Sequence, residues 1–311
     1  MKKSYTIKKE AGFFDKQAME RMEHGFVPDL RRLTKVDWFY NNVWRDPEFA
    51  KIQWMPRINN IIKHAKESGT RTVEIGCGLG MLSLELARNG LDVLGIDISH
   101  ESIAIAEKYK EENTYQEGFG SLEYKCENLL NLELEKETFD SVIFFRSLHH
   151  MPEPDKILEK VSEILKPKGK VILSEPVRSH FTMESAHFAA LLRVIAPTWE
   201  PYSKKLKKKW NEENWKKDIQ AVFDEYVYHG KHAQSPLDNS TNNAETLINI
   251  ISEKFVICEE TYSDAFVDKL IGGLRGEYKY ELARFLKFLD TYMIENKLLP
   301  PTSLELVAQK T

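Results

Sequence analysis

Short apolar runs alternate with helix-period segments through the middle of the chain. Five of these runs have the length and the apolar, β-branched character of buried strands. They are Arg71–Ile75, Asp92–Ile96, Leu122–Cys126, Ser141–Phe145 and Lys170–Ser174. The segments between them place apolar residues three and four positions apart, which is the helical period. Strands that alternate with helices predict βαβ units and a mainly parallel sheet.

Local signals predict where the intervening helices begin and end. The first helix covers Met81–Asn89 and stops at Gly90, a residue suited to a left-handed helix end. Ser99 is the predicted N-cap of the second helix, and Pro154 opens the third. Lys166–Gly169 contains proline and glycine and is predicted to break that helix before the fifth strand.

The chain is predicted to fall into four parts. Residues 1–70 form an N-terminal helical lid or collar, and residues 71–176 form the core of strands and helices. Residues 177–253 form a helical cap inserted over the carboxyl edge of the sheet, and residues 254–311 return to the core with two more strands. The helix between those strands carries one apolar stripe: Leu282, Phe285, Leu286, Leu289 and Met293.

A glycine-rich turn, V-E-I-G-C-G-L-G over Val73–Gly80, follows the first strand. Its glycines let the backbone pass close to a ligand and direct amide N–H groups at polar atoms, although such turns also serve only to tighten a corner. Asp97 ends the second strand, 21 residues after Gly76. A carboxylate there can accept hydrogen bonds from ribose hydroxyls, so the two features together favour binding of an adenosine-bearing cofactor.

The details of the turn discriminate between cofactors. The spacing is G-x-G-x-G rather than the G-x-G-x-x-G of dinucleotide sites, and an acidic residue, Glu74, precedes it. Negative charge at this place suits a cationic amine better than a pyrophosphate. The G-x-x-x-x-G-K-[ST] pattern of nucleotide triphosphatases is absent.

Five segments occur in order along the core: Val73–Gly80, Leu94–Ser99, Thr138–Ile143, Leu148–Pro154 and Leu165–Val171. Together they resemble class I S-adenosylmethionine-dependent methyltransferases of the small-molecule kind. The resemblance implies a Rossmann-like, seven-stranded, mainly parallel α/β sheet. It also implies S-adenosyl-L-methionine as the cofactor and S-adenosyl-L-homocysteine as the product.

The resemblance also assigns cofactor contacts. It implies that Glu74 and the glycine turn hold the methionine part, that Asp97 binds the ribose and that Ile98 lies against the adenine. Asn128, or Glu127 one position before it, takes the place of a residue that bonds the adenine amino group, although either side chain can be exposed and unrelated to binding. The predicted cofactor-binding set is Glu74, Gly76, Cys77, Gly78, Gly80, Asp97, Ile98, Asn128, Leu129 and Arg146.

His149 and His150 follow the fourth strand and are the candidate catalytic residues. A histidine there can act as a general base on a hydroxyl or amine, or can merely cap a helix or fix the loop. His150 is the preferred base. A base is optional, because the sulfonium is already activated and alignment alone contributes about 7–11 kcal/mol in favourable cases. Arg146 can pair with an anionic acceptor, with the cofactor carboxylate or with a loop carboxylate, and Glu175 and Arg178 can contact the acceptor.

Acceptor recognition is predicted to lie in the cap. Its lysine-rich run at 204–209 can track phosphates or form a solvated helix face. Aromatic and imidazole side chains of the cap can stack on an acceptor ring or hold the cap to the core: Trp199, Tyr202, Trp210, Trp215, Phe223, Tyr226, Tyr228, His229 and His232.

Composition limits the partners. The formal charge of −4 provides no global positive field for nucleic acid or anionic lipid. Three dispersed cysteines argue against a disulfide framework or a structural zinc site and favour a reducing cytoplasm. Neither a secretory signal nor an apolar run of about 18 residues is present, so no membrane span is expected.

These features predict a cytoplasmic methyltransferase that acts on an oxygen or nitrogen atom of a small molecule, such as a sugar or another biosynthetic intermediate. Nucleic acid is disfavoured as an acceptor because an Asn-Pro-Pro-Tyr type signature is missing. RNA or protein methylation, a non-methylating enzyme that uses the same cofactor, and a regulatory module remain the alternatives.

Overall fold

The computed structural model describes residues 2–37, 40–228, 235–237 and 244–311. Within these residues the strands are β1 (Arg71–Ile75), β2 (Asp92–Asp97), β3 (Ser121–Cys126), β4 (Phe139–Phe145), β5 (Leu165–Pro176), β6 (Phe255–Ser263) and β7 (Ser303–Lys310). They form one seven-stranded sheet in the order β3-β2-β1-β4-β5-β7-β6. The first five strands pair in parallel, and β7 runs antiparallel to both β5 and β6. The predicted Rossmann-like, mainly parallel sheet is confirmed.

The helices in the described part of the chain are α1 (Lys2–Glu23), α2 (Pro47–Gln53), α3 (Met55–Ser68), α4 (Met81–Arg88), α5 (His100–Glu111), α6 (Pro154–Ile164), α7 (Met183–Ile195), α8 (Tyr202–Lys207), α9 (Glu212–Tyr226), α10 (Ala244–Ser252) and α11 (Lys279–Glu295). None of them is both long and apolar enough to cross a bilayer.

Local chemistry explains the ends of these elements. Ser99 is the N-cap of α5, because its hydroxyl accepts a hydrogen bond from the Ser102 N–H. Gly90 follows α4 with φ +88°, the left-handed conformation that a helix end favours. The predicted break at Lys166–Gly169 is only partly right. The helix α6 does end at Ile164, but β5 begins immediately afterwards. Leu165 pairs with Phe139 of β4, and its carbonyl oxygen accepts a hydrogen bond from Lys310 Nζ.

Buried side chains of the strands alternate between two apolar clusters, one on each face of the sheet. Val73, Ile75 and Phe144 belong to the cluster that includes α6 and α10, whereas Val93 and Ile143 belong to the cluster that includes α3, α4 and α5. This alternation follows from the period of two along a strand. The sheet therefore requires helices on both faces.

The segments outside residues 71–176 also contribute to the sheet's cover. Helix α3 packs against β4 and β5, and α10 packs against β6, β7 and α6. The predicted division of the chain into collar, core, cap and C-terminal part stays a prediction. Trp-Phe at 38–39, His229, His232 and the loop at 238–243 lie outside the described residues.

The predicted apolar stripe of α11 is wrong at one position. Phe285 is 54% exposed, while Leu286 is buried against the core. Helix α11 instead buries Asp290, whose carboxylate accepts hydrogen bonds from the backbone N–H groups of Ala265 and Phe266. The hydrogen bonds of Asp290, as well as the burial of apolar side chains, therefore determine which face of α11 packs against the core.

Candidate functional site

A cavity of about 570 Å³ opens where β1, β2 and β4 end. Cavities of this size accommodate small-molecule ligands. His150 lines it, together with nine of the ten predicted cofactor-binding residues: Glu74, Gly76, Cys77, Gly78, Asp97, Ile98, Asn128, Leu129 and Arg146. The structure therefore brings most of the predicted cofactor-binding residues and one of the two candidate catalytic histidines to one place.

The three glycines of the turn differ in what surrounds them. Gly76 has φ +76°, and a Cβ there would stand 2.5 Å from the Cβ of Ser147. Gly80 lies outside the cavity wall, where a Cβ would collide with the Tyr124 hydroxyl. At Gly78, with φ +51°, a Cβ would meet nothing. Gly76 and Gly80 are thus required by close packing, whereas Gly78 borders open space.

The Asp97 carboxylate is held by backbone hydrogen bonds to both of its oxygens. Its Oδ2 accepts a hydrogen bond from the Gly78 N–H at 2.8 Å, and its Oδ1 accepts one from the Ser99 N–H at 2.9 Å. Burial nevertheless raises the pKa of Asp97 above its usual value. Since each carboxylate oxygen can accept more than one hydrogen bond, both remain able to receive a ligand hydroxyl.

Glu74 is a buried carboxylate at the end of β1. It is 2% exposed, and the Ser83 hydroxyl donates a hydrogen bond to it. Burial, with a further contribution from the charge of Asp97, raises the pKa of Glu74 to about 8. A cationic group of a ligand would stabilise the ionised carboxylate here.

Ile98 and Leu129 add apolar side chains to the lining of the cavity. Asn128 also faces the cavity, but its Oδ1 already accepts a hydrogen bond from the Leu130 N–H at 3.0 Å. Glu127 is exposed and accepts a hydrogen bond from the Asn128 N–H. Asn128 therefore shapes the turn as well as bordering the cavity.

His149 is not brought into the cavity. It is 2% exposed, and its Nδ1 donates a hydrogen bond to Glu175 Oε2 at 2.6 Å. Burial lowers the pKa of His149 to about 4, despite the neighbouring carboxylate. Glu175 also accepts hydrogen bonds from the backbone N–H groups of Ser147 and Leu148. The pair of His149 and Glu175 thus fixes the loop that carries His150.

His150 lies in the cavity wall and is held from two directions. Its Nδ1 lies 3.1 Å from Glu10 Oε1 and 3.0 Å from the Ser235 hydroxyl, and the Phe14 ring contacts it edge-on. Glu10 is only 1% exposed and also accepts a hydrogen bond from the Leu237 N–H at 2.7 Å. Nε2 of His150 makes no hydrogen bond within the part of the chain that the structure describes.

Glu10 is a site residue that the sequence did not reveal. It lies in α1, far from His150 along the chain, and no local pattern distinguishes it from the other charged residues of that helix. Its carboxylate selects the imidazole tautomer that carries hydrogen on Nδ1 and leaves Nε2 free to accept a proton.

A second set of polar residues lines the cavity away from the glycine turn. Arg146 follows β4 with φ +56°, and its guanidinium carbon lies 5.2 Å from the centroid of the Trp54 ring. Tyr228, Asp268 and Lys269 line the same cavity. Of these three, the sequence indicated only Tyr228, as one aromatic residue of the cap. Glu175 and Arg178, the predicted rim residues, are buried and lie behind the wall.

Comparison with known proteins identifies the family. A family model described as a methyltransferase domain matches residues 66–231, just over half of the chain. The chain belongs to this methyltransferase family. The predicted resemblance is confirmed, as is S-adenosylmethionine as the cofactor of this methyltransferase domain.

Curated relatives of the methyltransferase domain include two ubiquinone biosynthesis O-methyltransferases. The protein from Paraburkholderia phymatum is 34% identical over 135 residues, which are 42% of this chain and 56% of that protein. The protein from Chromobacterium violaceum is 29% identical over 150 residues, which are 47% of this chain and 62% of that protein. The chain thus spans less than two thirds of the length of these relatives.

Solved structures share the fold of the methyltransferase domain over nearly the whole chain. A putative sarcosine dimethylglycine methyltransferase from Galdieria sulphuraria has a TM-score of 0.52 at 12% identity and covers 96% of this chain and 98% of that one. The magnesium protoporphyrin IX methyltransferase from Synechocystis PCC 6803, with bound S-adenosylmethionine, has a TM-score of 0.50 at 14% identity and covers 98% and 97%.

Proposed function

We propose that the protein transfers a methyl group from S-adenosylmethionine to a hydroxyl oxygen of a small-molecule acceptor, with His150 as the general base. One observation carries this proposal: the glycine turn, Glu74 and Asp97 line the same cavity as His150, whose Nε2 makes no hydrogen bond to a described residue. The similarity to ubiquinone biosynthesis O-methyltransferases supports oxygen as the acceptor atom.

The cofactor would supply an electrophilic methyl group on a sulfonium. Glu74 would hold its ammonium group, and Asp97 would accept hydrogen bonds from the ribose hydroxyls. Ile98 and Leu129 would pack against the adenine, and the Asn128 side chain would border it. The backbone of Gly76, Cys77 and Gly78 would allow close approach of the methionine part. Gly80 would not contact the cofactor, because it lies outside the cavity wall and allows the close packing of the turn against Tyr124.

His150 would remove the acceptor proton. As the bond between the acceptor oxygen and the methyl carbon forms and the S–CH₃ bond breaks, the hydroxyl proton moves to Nε2. Glu10 holds the opposite nitrogen and stabilises the resulting imidazolium, since their separation is 3.1 Å and Glu10 is buried. His149, whose ring centroid lies 4.1 Å from that of His150, would act as a positioning residue rather than as a base.

The experiment combines cofactor labelled in the methyl group with a cell extract separated into small molecules, RNA and protein. We expect label in the small-molecule fraction and formation of an equal amount of S-adenosylhomocysteine. Label in RNA or protein would contradict the proposal. Cofactor turnover without methyl transfer would favour a non-methylating enzyme, and cofactor binding without any turnover would favour a regulatory module.

Two variants then test the base. General acid–base catalysis contributes about 10²–10⁴-fold, so His150→Gln should lower kcat by that order while leaving the affinity for S-adenosylhomocysteine unchanged. Glu10→Gln should lower kcat by a smaller factor, because the amide keeps the contact but not the charge. His187→Gln is the matched control, since His187 is an exposed histidine on α7 outside the cavity. A His150→Gln variant with full kcat would remove His150 from catalysis.

A further inference from the structure

The cavity has a basic end that methyl transfer does not by itself require. Here Lys269 Nζ lies 3.5 Å from the centroid of the Tyr228 ring, and the guanidinium carbon of Arg178 lies 3.8 Å from the same centroid. Arg146 and Asp268 line the same cavity. Two cationic side chains therefore lie over the ring of Tyr228, and Arg146 lines the same cavity.

Among the described residues that line this end, the carboxylates do not balance the cations Arg146 and Lys269. Glu225 is already neutralised by Arg193, which binds it at 2.7 Å. Asp268 remains, and its Oδ1 is buried with no hydrogen-bond partner among the described residues, so that burial raises its pKa. Even with Asp268 ionised, the two cations Arg146 and Lys269 exceed the remaining negative charge of the described residues that line this end.

The polar groups that face the cavity here have unused donors. Within the described residues, the guanidinium of Arg146 makes no hydrogen bond, and neither does the hydroxyl of Tyr228. Although burial opposes ionisation, the charges of Lys269, Arg178 and Arg146 bring the pKa of Tyr228 below its usual value. Uncompensated charge in a site removed from water is costly, and an anion held by several donors relieves that cost.

We propose that the acceptor is an anion, whose negatively charged group binds to Arg146, Lys269 and Tyr228 while its hydroxyl faces His150. This inference rests on the proposed function, because it concerns the acceptor of that same site. It makes Lys269 and Tyr228 specificity-determining residues. Neither residue belongs to the elements that carry the glycine turn and Asp97, since Lys269 follows β6 and Tyr228 follows α9.

The first test compares two probes of the same shape, benzoate and the neutral benzamide, by calorimetry on protein saturated with S-adenosylhomocysteine. We expect benzoate to bind at least about tenfold more tightly, which corresponds to about 1.4 kcal/mol. Equal affinities, or no binding of benzoate, would overturn the proposal.

Two variants remove parts of the basic end. Lys269→Met keeps the length of the side chain without its charge, and Tyr228→Phe removes only the hydroxyl. Each should reduce the preference for benzoate and leave the affinity for benzamide unchanged. The matched control is Lys216→Met, since Lys216 is an exposed lysine on α9 that pairs with Glu212. If both cavity variants retain the full preference for benzoate, the anion does not bind here.

A further comparison separates the acceptor from the cofactor as the source of the anion. S-Adenosylhomocysteine carries a carboxylate, whereas 5′-methylthioadenosine lacks the whole amino-acid part. If Lys269 held the cofactor carboxylate, Lys269→Met would weaken only S-adenosylhomocysteine, which would contradict the proposal. We expect both affinities to stay unchanged.

The labelled product provides a readout that is independent of the probes. A methylated small molecule that is retained on an anion-exchange resin at neutral pH supports the inference, and one that passes through contradicts it. If no small molecule becomes labelled, the proposed function fails. The preference for benzoate over benzamide tests the anion site separately, because calorimetry measures it without any turnover. The two failures are therefore distinguishable.

Discussion

The replacement Asp97→Asn tests the ribose assignment with almost no change of shape. The carboxylate now accepts one backbone hydrogen bond on each oxygen, from the Gly78 and Ser99 N–H groups. An amide offers only one oxygen, so its NH₂ group must face one of these N–H donors. The variant also loses the negative charge that would receive the ribose hydroxyls.

The expected loss of affinity follows from these bonds. Hydrogen bonds to charged groups contribute about 1.5–3 kcal/mol each, and we expect the variant to weaken the two proposed ribose bonds together by about that amount. At 1.4 kcal/mol per factor of ten, the dissociation constant for S-adenosylhomocysteine should rise by about 10- to 150-fold. The measurement is isothermal titration calorimetry, with thermal denaturation to verify the fold.

The controls separate a ribose contact from damage to the turn. Asp92→Asn changes an exposed carboxylate at the opposite end of the same strand, where Asp92 accepts a hydrogen bond from the Ser121 hydroxyl, and should leave the affinity unchanged. 5′-Methylthioadenosine retains the ribose, so Asp97→Asn should weaken it by the same factor as S-adenosylhomocysteine. If the variant binds S-adenosylhomocysteine as tightly as the wild type, the ribose assignment is wrong.

Two further predictions concern buried carboxylates. The pKa of Glu74 is raised from 4.5 to about 8, so the folded protein keeps a proton that the unfolded chain releases. The free energy of unfolding of the cofactor-free protein should therefore fall as the pH rises from about 4.5 to about 8. Glu74→Gln should flatten this pH dependence, measured by urea denaturation at a series of pH values. Glu175→Gln should lower the free energy of unfolding by about 1.5–3 kcal/mol, because the ionised carboxylate accepts hydrogen bonds from His149 and the loop backbone. An unchanged midpoint of urea denaturation would show that the loop does not depend on this charge.

Much of the candidate cofactor site could be predicted because its signals are local. The positive φ values of the turn require glycines, and Asp97 directly ends a strand that the apolar pattern already predicts. Parallel strands bring their carboxyl ends to one edge of the sheet, so residues at those ends meet without further information. Hence residues distant in sequence, such as Glu74 and Arg146, line one cavity, while their roles towards the cofactor stay predictions.

No local signal separates the two adjacent histidines, although His150 was the preferred base. A short turn directs His149 towards Glu175 of β5 and places His150 in the cavity wall. Glu10 was missed for a related reason, since its importance arises from packing of α1 over His150 and not from any pattern within α1.

The sequence by itself determined the core strands, the glycine turn, the carboxylates beside the turn and hence the cofactor. These features depend on periodicity, backbone conformation and strand ends, which neighbouring residues set. Only the tertiary structure decided which histidine faces the cavity, which carboxylate holds it, and that Tyr228 and Lys269 join Arg146 in a basic end. These contacts join α1, the residues after α9 and the segment after β6, whose relative positions depend on packing between distant parts of the chain.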